Sequence, residues 1–165
     1  MVPPLRTQVT ARRLLLATSR GKATLIASDH APHSLREKRA GIHKVLPGVP
    51  GLETTLPLLM TLVHRGKLSM KRMIDMLTVA PARRFRIAAK GRLAKGADGD
   101  LVLVNPKTVS RIDPRNFFSK AKYSPFAGFE TRGKVEMTIV GGEVVFDHGR
   151  IVAPRGTGRI LKRTL

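Results

Sequence analysis

The residues best equipped for chemistry are Ser28-Asp29-His30-Ala31-Pro32-His33, which directly follow the apolar run Ala23-Thr24-Leu25-Ile26-Ala27. A carboxylate and two imidazoles can exchange protons near neutral pH, and both can contribute to a metal site. The run before them suits a buried strand that delivers polar side chains at its C-terminal edge, where α/β folds keep their chemistry.

The preceding segment must position that strand. Val9 to Ala17 is predicted helical, with Thr7 or Thr10 as N-cap and Gly21 as the stop, which makes a helix-turn-strand unit. Residues 34–51 read as a loop closing with Pro47-Gly48-Val49-Pro50-Gly51. Leu52 to His64 is a long apolar helix, with Pro57 expected near its first turn. A second helix is capped by Ser69 and places Met70, Met73, Ile74 and Leu77 on one core face. Beyond Gly91 the pattern changes to strands. Asp100 to Val104 ends at Asn105-Pro106, and Val135 to Val140 and Glu143 to Phe146 form a hairpin about Gly141-Gly142. This divides the chain into residues 1–90, 91–152 and a basic tail, 153–165, expected to lie unpacked without a partner.

The 165 residues hold 31 Lys and Arg against 11 Asp and Glu, a formal net charge of +20. Such a surplus favours a polyanionic partner. From Arg65 to Lys95 there are ten cations (Arg65, Lys67, Lys71, Arg72, Arg83, Arg84, Arg86, Lys90, Arg92 and Lys95) and one acid, Asp75. The tail adds Arg155, Arg159, Lys162 and Arg163. With one Tyr and six Phe there is little stacking surface, so contacts to phosphate, not to bases, are expected. The absence of cysteine excludes disulfides and thiolate metal sites. No apolar run reaches the roughly 18 residues of a membrane span, so no membrane partner is expected and the cytoplasm is the default location.

Several motifs in order resemble the dihydroorotases of the cyclic amidohydrolase superfamily. They are Pro3-Pro4-Leu5-Arg6, Ser28 to His33, Pro47 to Thr54, Pro81-Ala82-Arg83, Gly91 to Gly96, Asp100-Leu101-Val102, Tyr123-Ser124-Pro125-Phe126 and Thr138 to Gly142. The resemblance implies an α/β fold: the C-terminal fragment of a metal-dependent β/α (TIM) barrel, followed by the last strands of a small β-sandwich. It also implies that Asp29 ends the last barrel strand, touches the metal and shuttles the proton of the hydrolytic water, while His33 and the backbone at Pro47 and Gly48 hold substrate. In that family an apolar residue and a glycine usually stand where Arg84 and Arg86 flank Phe85, and an asparagine often stands where this chain has Val2.

Relatives take most of their zinc ligands from positions upstream of Pro3. This chain alone is therefore expected to bind no metal or other cofactor, with zinc entering only if a partner chain completes the site. The leading expectation is a chain without independent catalysis that binds structured RNA, most plausibly ribosomal RNA beside ribosomal proteins, through the cations named above. The alternative is the C-terminal part, or a split subunit, of an active zinc-dependent dihydroorotase that requires a complementary N-terminal chain.

Overall fold

The computed structural model describes residues 4–41 and 43–161. Met1, Val2, Pro3, Lys162 and Arg163 lie outside that range, and with them the expectations about Val2 and the last two tail cations.

Five helices precede a four-stranded sheet. Helix α1, Gln8–Ser19, starts where the Thr7 side chain accepts the Thr10 N–H. It stops in a glycine-type C-cap: the Lys22 N–H reaches the Ala17 carbonyl and the Gly21 N–H the Thr18 carbonyl. None of its residues is buried. Within the expected loop, Leu35–Lys38 forms a short helix, α2, because Ser34 and Glu37 cap each other reciprocally. Ser34's hydroxyl and backbone N–H hold the Glu37 carboxyl below its ordinary range.

Helix α3 spans Leu52–His64, and α4 spans Met70–Leu77 behind its Ser69 cap. Pro57 sits in the second turn of α3, not the first, so the helix forgoes a hydrogen bond to the Glu53 carbonyl there. The core face of α4 also differs from the predicted one. Met73 and Met76 are buried with Met60 and Leu68, whereas Met70 and Ile74 are exposed.

Helix α5, Val79–Arg84, ends in the same kind of cap as α1. The Ile87 N–H bonds the Ala82 carbonyl and the Arg86 N–H the Arg83 carbonyl. Here the left-handed position is held by Arg86, at φ 55°. A side chain there costs about 1 kcal/mol relative to glycine.

The segment 23–27 forms no strand. Among the described residues its hydrogen bonds are the Ile26 N–H to the Met76 carbonyl and the Arg72 guanidinium to the Ala23 carbonyl, and further on lies an isolated parallel bridge between His30 and Val49. A barrel strand exists only by pairing with neighbouring strands, and no neighbour for it lies among the described residues.

The sheet is an antiparallel meander in the order β1 (Leu101–Arg111), β2 (Glu130–Val140), β3 (Glu143–Asp147) and β4 (Arg150–Ile151). β1 does not end at Pro106. Its pairing with β2 slips between Asn105 and Val109 and then resumes, so the proline is accommodated in a bulge. Gly141 and Gly142 both take positive φ and pair Val140 with Glu143, as a tight two-residue hairpin requires.

Helix α3 joins the helices to this sheet. The Arg132 N–H of β2 donates to Thr61 Oγ1 at 2.9 Å, and Met60 packs where a Cβ on Gly133 would fall within 2.8 Å of it. At the other end of α3 the Glu53 carboxylate accepts the N–H groups of Phe118 (2.8 Å) and Ser119 (3.0 Å). Replacing Glu53 with Ala strands both donors and should lower unfolding free energy by about 1–3 kcal/mol with an unchanged denaturant slope. A loss below about 0.5 kcal/mol, the range of an ordinary surface change, would show that this clamp carries no load.

The start of the sheet is tied by ions to the turn that follows α5. Lys90 Nζ meets Asp98 at 2.8 Å and also binds Asp100, whose other oxygen accepts the Gly141 N–H at 2.7 Å. The Lys90 hydrogen bond, then the Gly141 one, holds the Asp100 carboxyl below its ordinary range. Asp100 and Asp98 hold the Lys90 ammonium above its own. The stability from Asp100 is present above the unfolded carboxyl's pKa and lost as pH falls through the lowered folded value. That from Lys90 is present below the unfolded amine's pKa and lost as pH rises through the raised folded value. Asp100→Asn should therefore flatten the fall of stability below about pH 4. A slope there equal to the parent chain's would contradict the pairing.

Candidate active-site edge

The Asp29 motif and the Pro47-Gly51 motif form a single structure. His30 bridges Val49 in parallel register, and the Ala31 N–H donates to the Val49 carbonyl at 3.0 Å. The two segments run so close that a Cβ on Gly48 would overlap the Ala31 side chain and stand 3.0 Å from its carbonyl, and Gly48 itself has φ 116°. Glycine is required there on both counts.

His30 has a positional role that its sequence context does not show. The N-cap of α3 is Gly51, which has no side chain to offer. The His30 ring supplies the missing acceptor: its Nδ1 takes the N–H groups of both Gly51 and Leu52 at 3.1 Å. This nitrogen is therefore unprotonated, and Nε2 carries the hydrogen in the neutral ring.

Asp29 is exposed, at φ 46°. This left-handed conformation is one that aspartate tolerates better than most residues, and such outliers gather at functional sites. It is the one candidate acid-base group on this edge not engaged by a partner among the described residues. Close by, the His33 ring Nε2 lies 3.0 Å from the Pro47 carbonyl, and the Tyr123 hydroxyl donates to the Gly48 carbonyl at 3.4 Å. Lys38 Nζ stands 5.8 Å above the centre of the Tyr123 ring and donates to the Leu46 carbonyl at 2.6 Å. The structure thus brings Asp29, His33, Pro47 and Gly48 together at one edge. Sequence reasoning did not assign a role to Tyr123, Lys38 or Glu53. Tyr123 and Glu53 were present only as members of motifs and Lys38 lay outside them, because each acts across 8 or more residues of chain.

A zinc ion is implied by the resemblance, and the residues described do not by themselves fit one. Asp29 offers one carboxylate, His30 Nδ1 is already engaged, and no group of three His, Asp or Glu side chains converges among the described residues. A further ligand set would have to come from outside them.

The cations expected at phosphate are dispersed, and several are engaged within the chain. Lys71 pairs with Asp75 at 2.7 Å, Lys90 with Asp98 and Asp100, and Arg159 with Asp98 at 3.7 Å. The Arg159 contact also ties part of the expected free tail to the body. Arg72 binds the carbonyls of Thr18 and Ala23. Arg65, Lys67, Arg83, Arg84, Arg86, Arg92, Lys95 and Arg155 are exposed, on several separate elements. None of the described helices is long and apolar enough to cross a membrane.

The site's tightness gives one expected outcome. Gly48→Ala should shift the 47–49 segment away from Ala31 and destabilise the chain by about 1–3 kcal/mol. An unchanged denaturant midpoint would mean that the two motifs are not in contact.

Comparison with known proteins bears on both readings. The chain matches the model of the Amidohydrolase family over residues 5–145. It is 43% identical over 140 residues to a dihydroorotase of Methanothermobacter thermautotrophicus, covering 85% of this chain and 32% of that protein. It is 40% identical over 162 residues to a dihydroorotase of Pyrococcus furiosus, covering 98% and 37%. Its fold superposes on an L-hydantoinase (dihydropyrimidinase) from Arthrobacter aurescens with a TM-score of 0.93 at 32% identity, over 99% of this chain and 37% of that one. The chain thus spans about one third of the length of the relatives it matches.

These findings overturn the expectation of an RNA-binding, ribosome-associated chain. The relatives are dihydroorotases along the stretch that carries the basic run, and neither they nor the family point to RNA. A charge surplus is a property of the whole surface and does not name a partner. The fold is α/β, with helices and the unpaired segment 23–27 followed by an antiparallel sheet, as in part of an amidohydrolase. The chain belongs to the amidohydrolase family.

Proposed function

We propose that this chain is the C-terminal portion of a zinc-dependent dihydroorotase, which reversibly closes N-carbamoyl-aspartate into the dihydroorotate ring. It would act together with the rest of a barrel, supplied upstream on the same polypeptide or by a complementary chain. The observation that supports this best is the joined Asp29–His33 and Pro47–Gly51 edge, in a chain 43% identical to a dihydroorotase across that region.

In this reading Asp29 takes a proton from the hydrolytic water and returns it to the ring nitrogen as the C–N bond breaks, with the reverse order in ring closure. Its exposed carboxylate is free for both transfers. His33 and the Gly48 backbone hold substrate, and the Pro47 carbonyl fixes the His33 ring. Zinc, when the complete ligand set binds it, lowers the pKa of its water.

The direct test replaces the matching C-terminal third of the Methanothermobacter dihydroorotase with this chain and assays dihydroorotate hydrolysis in the presence of zinc. The chimera should be active, and Asp29→Asn should reduce kcat by about 100-fold or more, while Asp75→Asn leaves it unchanged. A folded, zinc-loaded chimera without activity would overturn the reading.

A further inference from the structure

Away from the Asp29 edge, a cavity of about 460 Å³ opens where α5 meets the turn leading to the sheet. Val79, Ala82, Ile87 and Ala88 give it an apolar part, and Arg83, Arg86 and Arg92 line it as well. Lys90 also lines it, but that ammonium is held by Asp98 and Asp100. No carboxylate lines the cavity, and among the described residues none of the three arginines has an acidic partner or a side-chain hydrogen bond. The nearby helix-end carbonyls of Pro81, Ala82 and Arg83 are already bonded to backbone N–H groups, so they are partly spent as a counter-field to an anion.

A second observation is independent of this charge. Arg86 occupies the left-handed cap position of α5, where glycine would be unstrained and an arginine is not. Backbone strain of this kind clusters at functional sites. The strained residue is one of those lining the cavity.

We propose that this cavity is a binding site for a small phosphate-bearing ligand, held by Arg83, Arg86 and Arg92. Guanidinium groups bind phosphate oxygens two at a time, and three of them can share one dianionic group. The volume lies within the range of small-molecule sites, and the apolar lining residues can accept a compact organic body attached to the phosphate. The site is separate from the Asp29 edge and does not depend on the reaction proposed there.

Calorimetric titration of the full chain at low ionic strength with inorganic phosphate, and separately with AMP, tests this. Saturable one-to-one binding is expected. Tighter binding of AMP assigns the source to phosphate esters, and equal affinity assigns it to free phosphate. Arg86→Gly is the discriminating variant because its two effects oppose each other. It should raise the melting temperature by roughly 2–4 °C by relieving the cap, yet weaken binding about ten-fold or more by removing a charge-assisted contact. Arg92→Gln should weaken binding similarly, and Arg65→Gln, an equal loss of charge elsewhere, should leave it unchanged. The proposal is overturned if neither probe binds saturably, if Arg86→Gly binds as the parent chain does, or if Arg65→Gln weakens binding as much as the cavity variants.

Discussion

The structure depends on how the N-terminal end of α3 is satisfied. A helix start leaves backbone N–H groups without partners, and Gly51 has no side chain to cap them. The His30 ring does so from the strand-like segment, which fixes the Asp29 motif to the helix. In the same first turn, Glu53 holds the 118–119 backbone, from which the chain continues to Tyr123 and back to Gly48. Thr61 and Met60 complete the connection to β2. The candidate catalytic edge and the sheet are therefore coupled through one helix.

Much of this was legible in the chain. The start of α4 was readable because Ser69 caps it locally, and the β2–β3 hairpin because two adjacent glycines suit one kind of turn. Features set by distant partners were not. The segment 23–27 has strand composition but forms no ladder, since ladders are made by neighbours and not by propensity. Likewise Pro106 looked like a strand end, yet pairing with β2 outweighs one missing N–H by bulging around it. His30 looked like a candidate functional histidine and serves as a helix cap, a role visible only once residues 21 apart in sequence are brought together.

The basic composition was the most misleading signal. A net charge of +20 describes the whole surface, whereas function follows from where charges converge and what already neutralises them. Lys71, Lys90 and Arg159 are paired and Arg72 is bound to backbone, which breaks up the apparent basic stretch. What remains concentrated is the trio of Arg83, Arg86 and Arg92 around one cavity, with a backbone strain at one of the three, Arg86.

The coupling through α3 can be read residue by residue by native-state hydrogen exchange of the Gly51, Leu52, Phe118, Ser119 and Arg132 amides. These five have their partners on His30, Glu53 and Thr61. The expected result is protection of all five with a common opening free energy, lost together in His30→Ala. Exchange of Phe118 and Ser119 at unfolded-chain rates while Gly51 and Leu52 stay protected would contradict it, and would mean that the edge bearing Asp29 and the sheet are independent bodies.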